Sequence, residues 1–326
     1  MRFLGVDGRA VCLAAAFLLM AGCVGSQRIQ PGAMPQSART QYGPHKKSGS
    51  SGALIYATGG CGGTCVLSYP QGQVVGALDA SGSSVCADTG GNVFIPDDNQ
   101  VFEYAHGGTS PIATLSFSGD NPQGCAVDPT TGNLAVIIQG NSNGNVAVFA
   151  GGQGQATLYG ANVSPTYCSY DDSGNLLVNG FDNGQTVGLS ELPAGGSVFS
   201  RLSIPQRVGY PGQIQWDGNY LTWFSSDAGP RMVSRLAISG SQATIVGTTD
   251  LQGIKRFANQ SWIYGDHMII PYSNRGRSSK TIGIWRYPKG GKATKGIRHF
   301  GSYKESSLRF QGLAISIATS DTSKGQ

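Results

Sequence analysis

A unit of about 40 residues recurs along this chain, and the recurrence constrains the fold more than any other feature. Residues 124–159 read GCAVDPTTGNLAVIIQGNSNGNVAVFAGGQGQATLY. This breaks into strand, Asp-x-x-x-Gly-Asn turn, strand, Gly/Asn turn, strand, Gly turn and strand. Apolar residues fall at every second position: Leu134, Val136 and Ile138, then Val146 and Val148, with Phe149 at a strand end. Period-two alternation between tight turns marks a meander sheet. The pattern returns over residues 85–118, 167–204, 213–248 and 259–300. Asp88, Asp128, Asp171 and Asp217 each precede a Gly-Asn turn in their own copy.

The two ends complete the set. Residues 53–78 supply a second, third and fourth strand with no first, and residues 310–317 (FQGLAISI) supply a first strand with nothing after it. Joining them closes a ring and removes the open sheet edges that invite aggregation. A linear solenoid would need polar caps at both ends, and neither end carries one. The expected fold is all-β: a six-bladed β-propeller of four-stranded antiparallel blades with 3+1 closure between the N- and C-terminal strands. Composition agrees. Only 13% of residues are charged and only three are Glu (Glu103, Glu191 and Glu305), which excludes a helical bundle or coiled coil. The 50 Gly and 15 Pro suit many turns, while 39% apolar residues suffice for a core.

Blade starts such as Ala126-Val127-Asp128 before Gly132-Asn133-Leu134, and third strands such as Val146-Ala147-Val148-Phe149 before glycines, carry a family likeness. They resemble bacterial NHL-type and YncE-like propeller proteins, over residues 53–318. The resemblance implies the fold and no single activity, since such propellers include extracellular scaffolds, ligand binders, lactonases and lyases.

The first 23 residues read as an address. Arg2 and Arg9 precede an apolar run, Ala10 to Met20, too short to span about 30 Å of hydrocarbon. The run leads into Leu19-Met20-Ala21-Gly22-Cys23, which resembles the bacterial lipobox, in which the Cys becomes the lipidated N-terminus. The expected organisation is a signal peptide at 1–22, a lipidated flexible tether at 23–52, the propeller at 53–318 and a disordered tail at 319–326. The tether carries Arg28, Arg39, Lys46 and Lys47 and no acid, a charge suited to anionic headgroups. Localisation is expected at the cell envelope, periplasmic or cell-surface side, where disulfides persist.

Motifs that carry chemistry are sparse. Gly140-Asn141-Ser142-Asn143-Gly144 matches G-x-S-x-G but lies between two strands, not on the strand–turn–helix that a nucleophile elbow needs. The four His (His45, His106, His267, His299) lack the close spacing of metal ligands. The repeated Asp residues read as turn caps. The adjacent pairs Asp97-Asp98 and Asp171-Asp172 point to opposite faces of a strand and make poor acid/base couples. Trp216, Trp223, Trp262 and Trp285 read as packing between blades. No catalytic residue, metal site or cofactor is assigned.

After Cys12 and Cys23, five cysteines remain. Cys61 and Cys65 bracket a Gly-Gly-Thr turn that a disulfide can staple. Cys86 lies two residues before its Asp and Cys125 three before its own, so the two have opposite parity and can meet between blades 2 and 3. Cys168 shares the parity of Cys125 and cannot meet it.

Charge is polarised along the chain. Residues 53–253 hold four basic and fourteen acidic side chains; residues 254–326 hold thirteen basic and three acidic. Arg275, Arg277, Lys280, Lys289, Lys292 and Lys295 are expected to form a basic sector on blade 6 that docks an anionic envelope polymer or protein. The expected function is a lipid-anchored, monomeric binding or scaffold module for an envelope ligand. The alternative is a lactonase- or lyase-type propeller enzyme acting at the channel mouth. Export disfavours nucleic acid as a partner.

Overall fold

The computed structural model describes residues 52–117, 122–139, 145–182, 186–225, 231–254, 258, 260–273, 279–304 and 307–318. Cys23 and the signal and tether segments, the Gly140–Gly144 motif, Arg275, Arg277, Glu305 and the tail from 319 lie outside the described residues.

The protein is a six-bladed β-propeller. Blade 1 joins β1 (Leu54–Gly60), β2 (Gly63–Ser68) and β3 (Val74–Leu78) to β25 (Leu313–Ser316). Blade 2 holds β4 (Cys86–Ala87), β5 (Val93–Asp97), β6 (Gln100–Tyr104) and β7 (Ala113–Ser116). Blade 3 holds β8 (Pro122–Val127), β9 (Leu134–Ile138), β10 (Asn145–Phe149) and β11 (Ala156–Gly160). Blade 4 holds β12 (Ser164–Tyr170), β13 (Leu176–Asp182), β14 (Thr186–Leu192) and β15 (Ser200–Leu202). Blade 5 holds β16 (Pro211–Trp216), β17 (Leu221–Ser225), β18 (Met232–Ser239) and β19 (Gln242–Gln252). Blade 6 holds β20 (Trp262–Tyr264), β21 (His267–Tyr272), β22 (Thr281–Arg286) and β24 (Lys295–Ile297). The short β23 (Gly291–Lys292) leaves blade 6 and pairs in parallel with the end of β19, latching blade 6 onto blade 5. The repeat pattern did not anticipate this fifth strand.

The 3+1 closure is made by β25 lying antiparallel to β1, with Leu54 opposite Ser316 and Ala57 opposite Leu313. Thr58 and Gly312 exchange further bonds beyond the strand end, Thr58 N to Gly312 O at 3.0 Å and Gly312 N to Thr58 Oγ1 at 2.8 Å. In blades 3 and 5 the innermost strand starts with a proline (Pro122, Pro211), and in blade 4 Pro165 stands second after Ser164; each is followed by a bulge. A strand's first residue on a sheet edge tolerates the missing N–H.

The core is divided into six apolar clusters, one for each pair of neighbouring blades. Alternation in every strand sends one set of side chains toward each neighbour. Trp223 and Trp285 are buried between blades 4 and 5 and between blades 5 and 6. Trp262 differs, because it packs against three of the six clusters, those where blade 6 meets blade 1, blade 1 meets blade 2 and blade 2 meets blade 3. Its side chain therefore reaches the axis side of the ring.

Two disulfides are present. Cys61–Cys65 (Cα–Cα 5.0 Å) staples the β1–β2 turn, and Cys86–Cys125 (Cα–Cα 5.7 Å) joins β4 to β8 across blades 2 and 3. Cys168 is buried outside any disulfide, and burial raises its thiol pKa.

Three outcomes are expected. Deleting residues 306–326 strips β25 from blade 1, and the truncated domain should aggregate or lose its cooperative melt, read by scanning calorimetry. A thiol titration of residues 53–318 should find none in the native protein and one, from Cys168, in denaturant. A Cys86→Ser, Cys125→Ser double variant should lose about 2–4 kcal/mol of stability.

Candidate functional site

The site grows out of the alternation in blade 6. Tyr264 lies opposite His267, His267 opposite Arg286, and Ile284 opposite both Ile269 and Lys295. Directly opposed residues share a sheet face. Tyr264, His267, Arg286, Ile284 and Lys295 therefore share the face turned toward blade 1. Deeper on that face Ile269, Ile282, Ile284 and Ile297 join the apolar cluster shared with blade 1. At the end of the sheet the same face becomes aromatic and charged.

Blade 1 contributes the β2–β3 turn, residues 69–73. Tyr69 N donates to Ala53 O at 3.0 Å and Gly72 N to Ser68 O at 2.6 Å, which holds the turn closed. Gly72 has φ +76° and sits on Ile297, where a Cβ would come within 2.5 Å of that side chain's Cδ1. Only glycine meets both demands. Seated this way, the turn places Tyr69 and Pro70 over blade 6.

Together Tyr69, Pro70, Tyr264, Gly265, Asp266, His267, Ile284, Thr294 and Lys295 line an open pocket of about 510 Å³. Tyr69 meets Tyr264 edge-on, with ring centroids 5.3 Å apart and planes at 84°, and lies 6.4 Å from the His267 ring. Asp266 pairs with His267 Nδ1 at 2.9 Å through one oxygen and with Arg286 through the other. Thr294 Oγ1 donates to Ile284 O at 2.9 Å. Burial, followed by Tyr264 and Asp266, raises the Tyr69 pKa against the smaller opposing effect of Arg286. Tyr69 is thus a neutral phenol at physiological pH.

The cations named from the sequence divide around this pocket. Lys295, the first residue of β24, lines it, and Lys289 and Lys292 are exposed between β22 and β24. Lys280 is not beside them, since it precedes β22 and so lies at the opposite end of that strand. Lys280 is therefore separated from Lys289, Lys292 and Lys295 by the length of β22. A four-stranded blade sends its second connection to one face of the ring and its third to the other. Arg275 and Arg277 lie outside the described residues. Among the described residues, Lys289, Lys292 and Lys295 form no ion pair.

The turn aspartates act on their own backbone. Asp88 Oδ1 accepts from Asn92 N at 2.8 Å, Asp128 Oδ1 from Thr130 N at 2.8 Å, and Asp171 Oδ1 from Ser173 N and Asn175 N, both at 2.9 Å. Asn133 and Asn175 extend two of these turns by accepting from Gly151 N at 2.8 Å and Ala194 N at 3.0 Å in the adjoining hairpin. Asp217 goes further. It caps Asn219 N and Tyr220 N at 3.0 and 2.8 Å, pairs with Arg235 Nε at 2.8 Å and accepts from the Tyr287 hydroxyl of blade 6 at 2.5 Å. Among the described residues, no three His, Cys, Asp or Glu side chains gather in a way that could hold a metal ion. Glu103 and Glu191 lie in β6 and β14, third from the axis.

Side-chain amides tie the innermost strands to one another. Gln215 of β16 accepts from Ile263 N at 2.7 Å and donates to Ile263 O at 3.2 Å, closing blade 5 on blade 6. Buried Gln260 donates to Val85 O and accepts from Leu313 N, both at 2.9 Å, so one side chain joins blade 6 to blades 1 and 2. Asn179 accepts from Tyr167 N at 3.1 Å and donates to Gly212 O at 2.9 Å, linking blades 4 and 5. With Trp262, these groups bind the blades together on the axis side of the ring.

Sequence reasoning missed Tyr69, Tyr264, Asp266, His267 and Arg286 as one group. The alternation in residues 262–297 carried part of the signal, because it sets Tyr264, His267 and Arg286 on one face. The join to Tyr69, far away in the chain, is made only by ring closure.

The fold and site define a six-bladed β-propeller with a rim pocket between its last and first blades. No family model and no curated protein matches the chain. A chain in the crystal structure of a nidogen/laminin complex superposes with a TM-score of 0.61 at 14% identity, over 82% of this chain and 100% of that one. A protein of unknown function from Bacteroides caccae superposes at 0.57 and 13% identity, over 81% and 98%. Likeness at such identity establishes the fold alone.

The Asp217 knot yields a pH prediction. Burial opposes ionisation of Asp217, but hydrogen bonds from Tyr287, Tyr220 N, Asn219 N and Arg235 outweigh it and lower its pKa. A lowered pKa in the folded state stabilises the fold at pH above the unfolded carboxyl's value of about 3.9, and the contribution is lost as pH falls through the folded value. Asp217→Asn should therefore melt well below wild type at neutral pH, by about 1–3 kcal/mol. The gap should narrow steadily in thermal melts taken at increasingly acid pH.

Proposed function

We propose that this propeller is a lipid-anchored binding or scaffold module of the bacterial cell envelope, presenting its blade 6–blade 1 rim to an anionic envelope polymer. The support for export is the apolar run before Cys23 and the polar tether after it, together with two disulfides, which suit an oxidising compartment. The blade motifs resemble NHL-type and YncE-like propellers, which include extracellular scaffolds and ligand binders.

The observation that carries the reading is the lip of the rim pocket. Lys295 lines the pocket, and Lys289 and Lys292 are exposed on the stretch that leads to it; none of the three forms an ion pair among the described residues, while the acid Asp266 is already engaged by His267 and Arg286. Uncompensated cations beside a concave surface attract a polyanion, and the attraction is screened over about 8 Å at physiological ionic strength.

The test is binding of the non-lipidated domain to a soluble anionic polysaccharide, polygalacturonate, at low and raised salt. Wild type should bind and weaken as salt rises. A Lys289→Ser, Lys292→Ser, Lys295→Ser variant should bind at least about tenfold more weakly with an unchanged melting temperature, since exposed substitutions cost little stability. Equal binding by the two proteins, or none by wild type at low salt, would count against the reading.

A further inference from the structure

We propose that the rim pocket is a saccharide subsite that takes a carboxylated sugar, a uronate unit of a glycan, with the ring lying against Tyr69 and Tyr264 and the carboxylate meeting Lys295. This rests on the binding-module reading and adds the ligand class.

Four features of the pocket converge on that class. First, its walls are aromatic and apolar: Tyr69, Pro70, Tyr264 and Ile284. The two tyrosine rings stand at 84° to one another and form a corner, not a slot for a flat aromatic ligand. A pyranose presents an apolar C–H face that packs on a tyrosine ring, and the phenol hydroxyl remains available at the edge. Second, polar groups border the apolar corner. Thr294 Oγ1 spends its proton on Ile284 O and keeps lone pairs to accept from a sugar hydroxyl. Asp266 uses each oxygen once, and a carboxylate oxygen accepts more than one bond. His267 uses Nδ1 on Asp266, which leaves Nε2 as a second polar atom.

Third, a lysine stands in the pocket wall beside its one carboxylate, Asp266. Lys295 lines the pocket and forms no ion pair among the described residues, whereas Arg286 is held by Asp266. A neutral sugar would use the aromatic corner and leave Lys295 idle. A simple polyanion would use the lysines and leave the corner idle. A sugar that carries a carboxylate uses both. Fourth, the volume of about 510 Å³ falls within the range of about 300–1,000 Å³ usual for small-ligand sites and admits a short saccharide.

The experiment is isothermal titration of the wild-type propeller with three probes of matched length: tetragalacturonate, neutral maltotetraose and tetraglutamate. The result expected is binding of tetragalacturonate at least about tenfold tighter than either of the others. Tyr264→Ala should lose at least about tenfold for tetragalacturonate, Tyr264→Phe should retain it, and Lys295→Ser should bring tetragalacturonate down to the level of maltotetraose. Thermal melts of each variant verify that the blades remain assembled, and Tyr264→Phe keeps the ring if Tyr264→Ala does not fold. Equal affinity for tetraglutamate and tetragalacturonate would mean that charge alone is read, which overturns the sugar subsite and leaves the binding-module reading standing. Polygalacturonate binding that survives Tyr264→Ala would do the same. No binding of tetragalacturonate by wild type overturns the inference, and absence of polygalacturonate binding as well overturns the reading beneath it.

Discussion

The pairing of β25 with β1 is the constraint on which the rest of the molecule depends. Every other blade is built from one continuous stretch, so its four strands need only short-range hairpins. Blade 1 alone requires residues some 250 apart to meet, Leu54 beside Ser316 and Ala57 beside Leu313. Until they do, both ends of the array expose sheet edges and apolar faces, which are free to pair wrongly. Closure also seats the first and last blades against each other, burying Ile55 and Leu67 with Ile269, Ile284 and Ile297. The rim pocket exists only because those two blades meet.

Closure by one strand pair would leave the centre of the ring without lateral bonds, since inner strands of neighbouring blades are not hydrogen-bonded as a sheet. Side-chain amides supply what the backbone does not. Gln215, Gln260 and Asn179 each bond peptide groups of another blade, and the Asp217–Tyr287 contact and the β19–β23 pairing add cross-links between blades 5 and 6. A buried amide or peptide group without a partner costs about 1–3 kcal/mol, so these contacts also select one register of blade against blade. Their concentration at the joints of blade 6 suits a ring that is completed there.

The candidate site illustrates how a repeat acquires an individual role. The turn between first and second strands is an Asp-Gly-Asn cap in blades 2 to 5, but in blade 6 the same position reads Tyr264-Gly265-Asp266-His267. Asp266 does not cap its own turn in the manner of Asp171; it pairs with His267 and Arg286 instead. The departure from the repeat coincides with the pocket. Blade 1 completes the pocket from a different connection, the 69–73 turn between its third and fourth strands, whose Gly72 permits the close seat on Ile297. A break in an otherwise regular turn chemistry was visible in the sequence, although its partner across the ring was not.

Local chemistry sufficed to specify blades, turns and closure. Alternation of side chains, Asp caps and Gly turns act over a few residues, and a first strand missing at one end and present at the other can be counted. The positions of the lysines relative to each other could not be read that way. Lys280 and Lys289 are near neighbours in sequence, yet β22 runs between them and carries them to opposite faces of the ring. Tyr69 and Tyr264 are remote in sequence, yet their rings lie 5.3 Å apart. Sequence by itself determined which residues repeat and which interrupt the repeat, because strand pairing and turn geometry are local. Only the tertiary structure decided which interruptions share a pocket, because that depends on how the ring closes, a contact between the two ends of the chain.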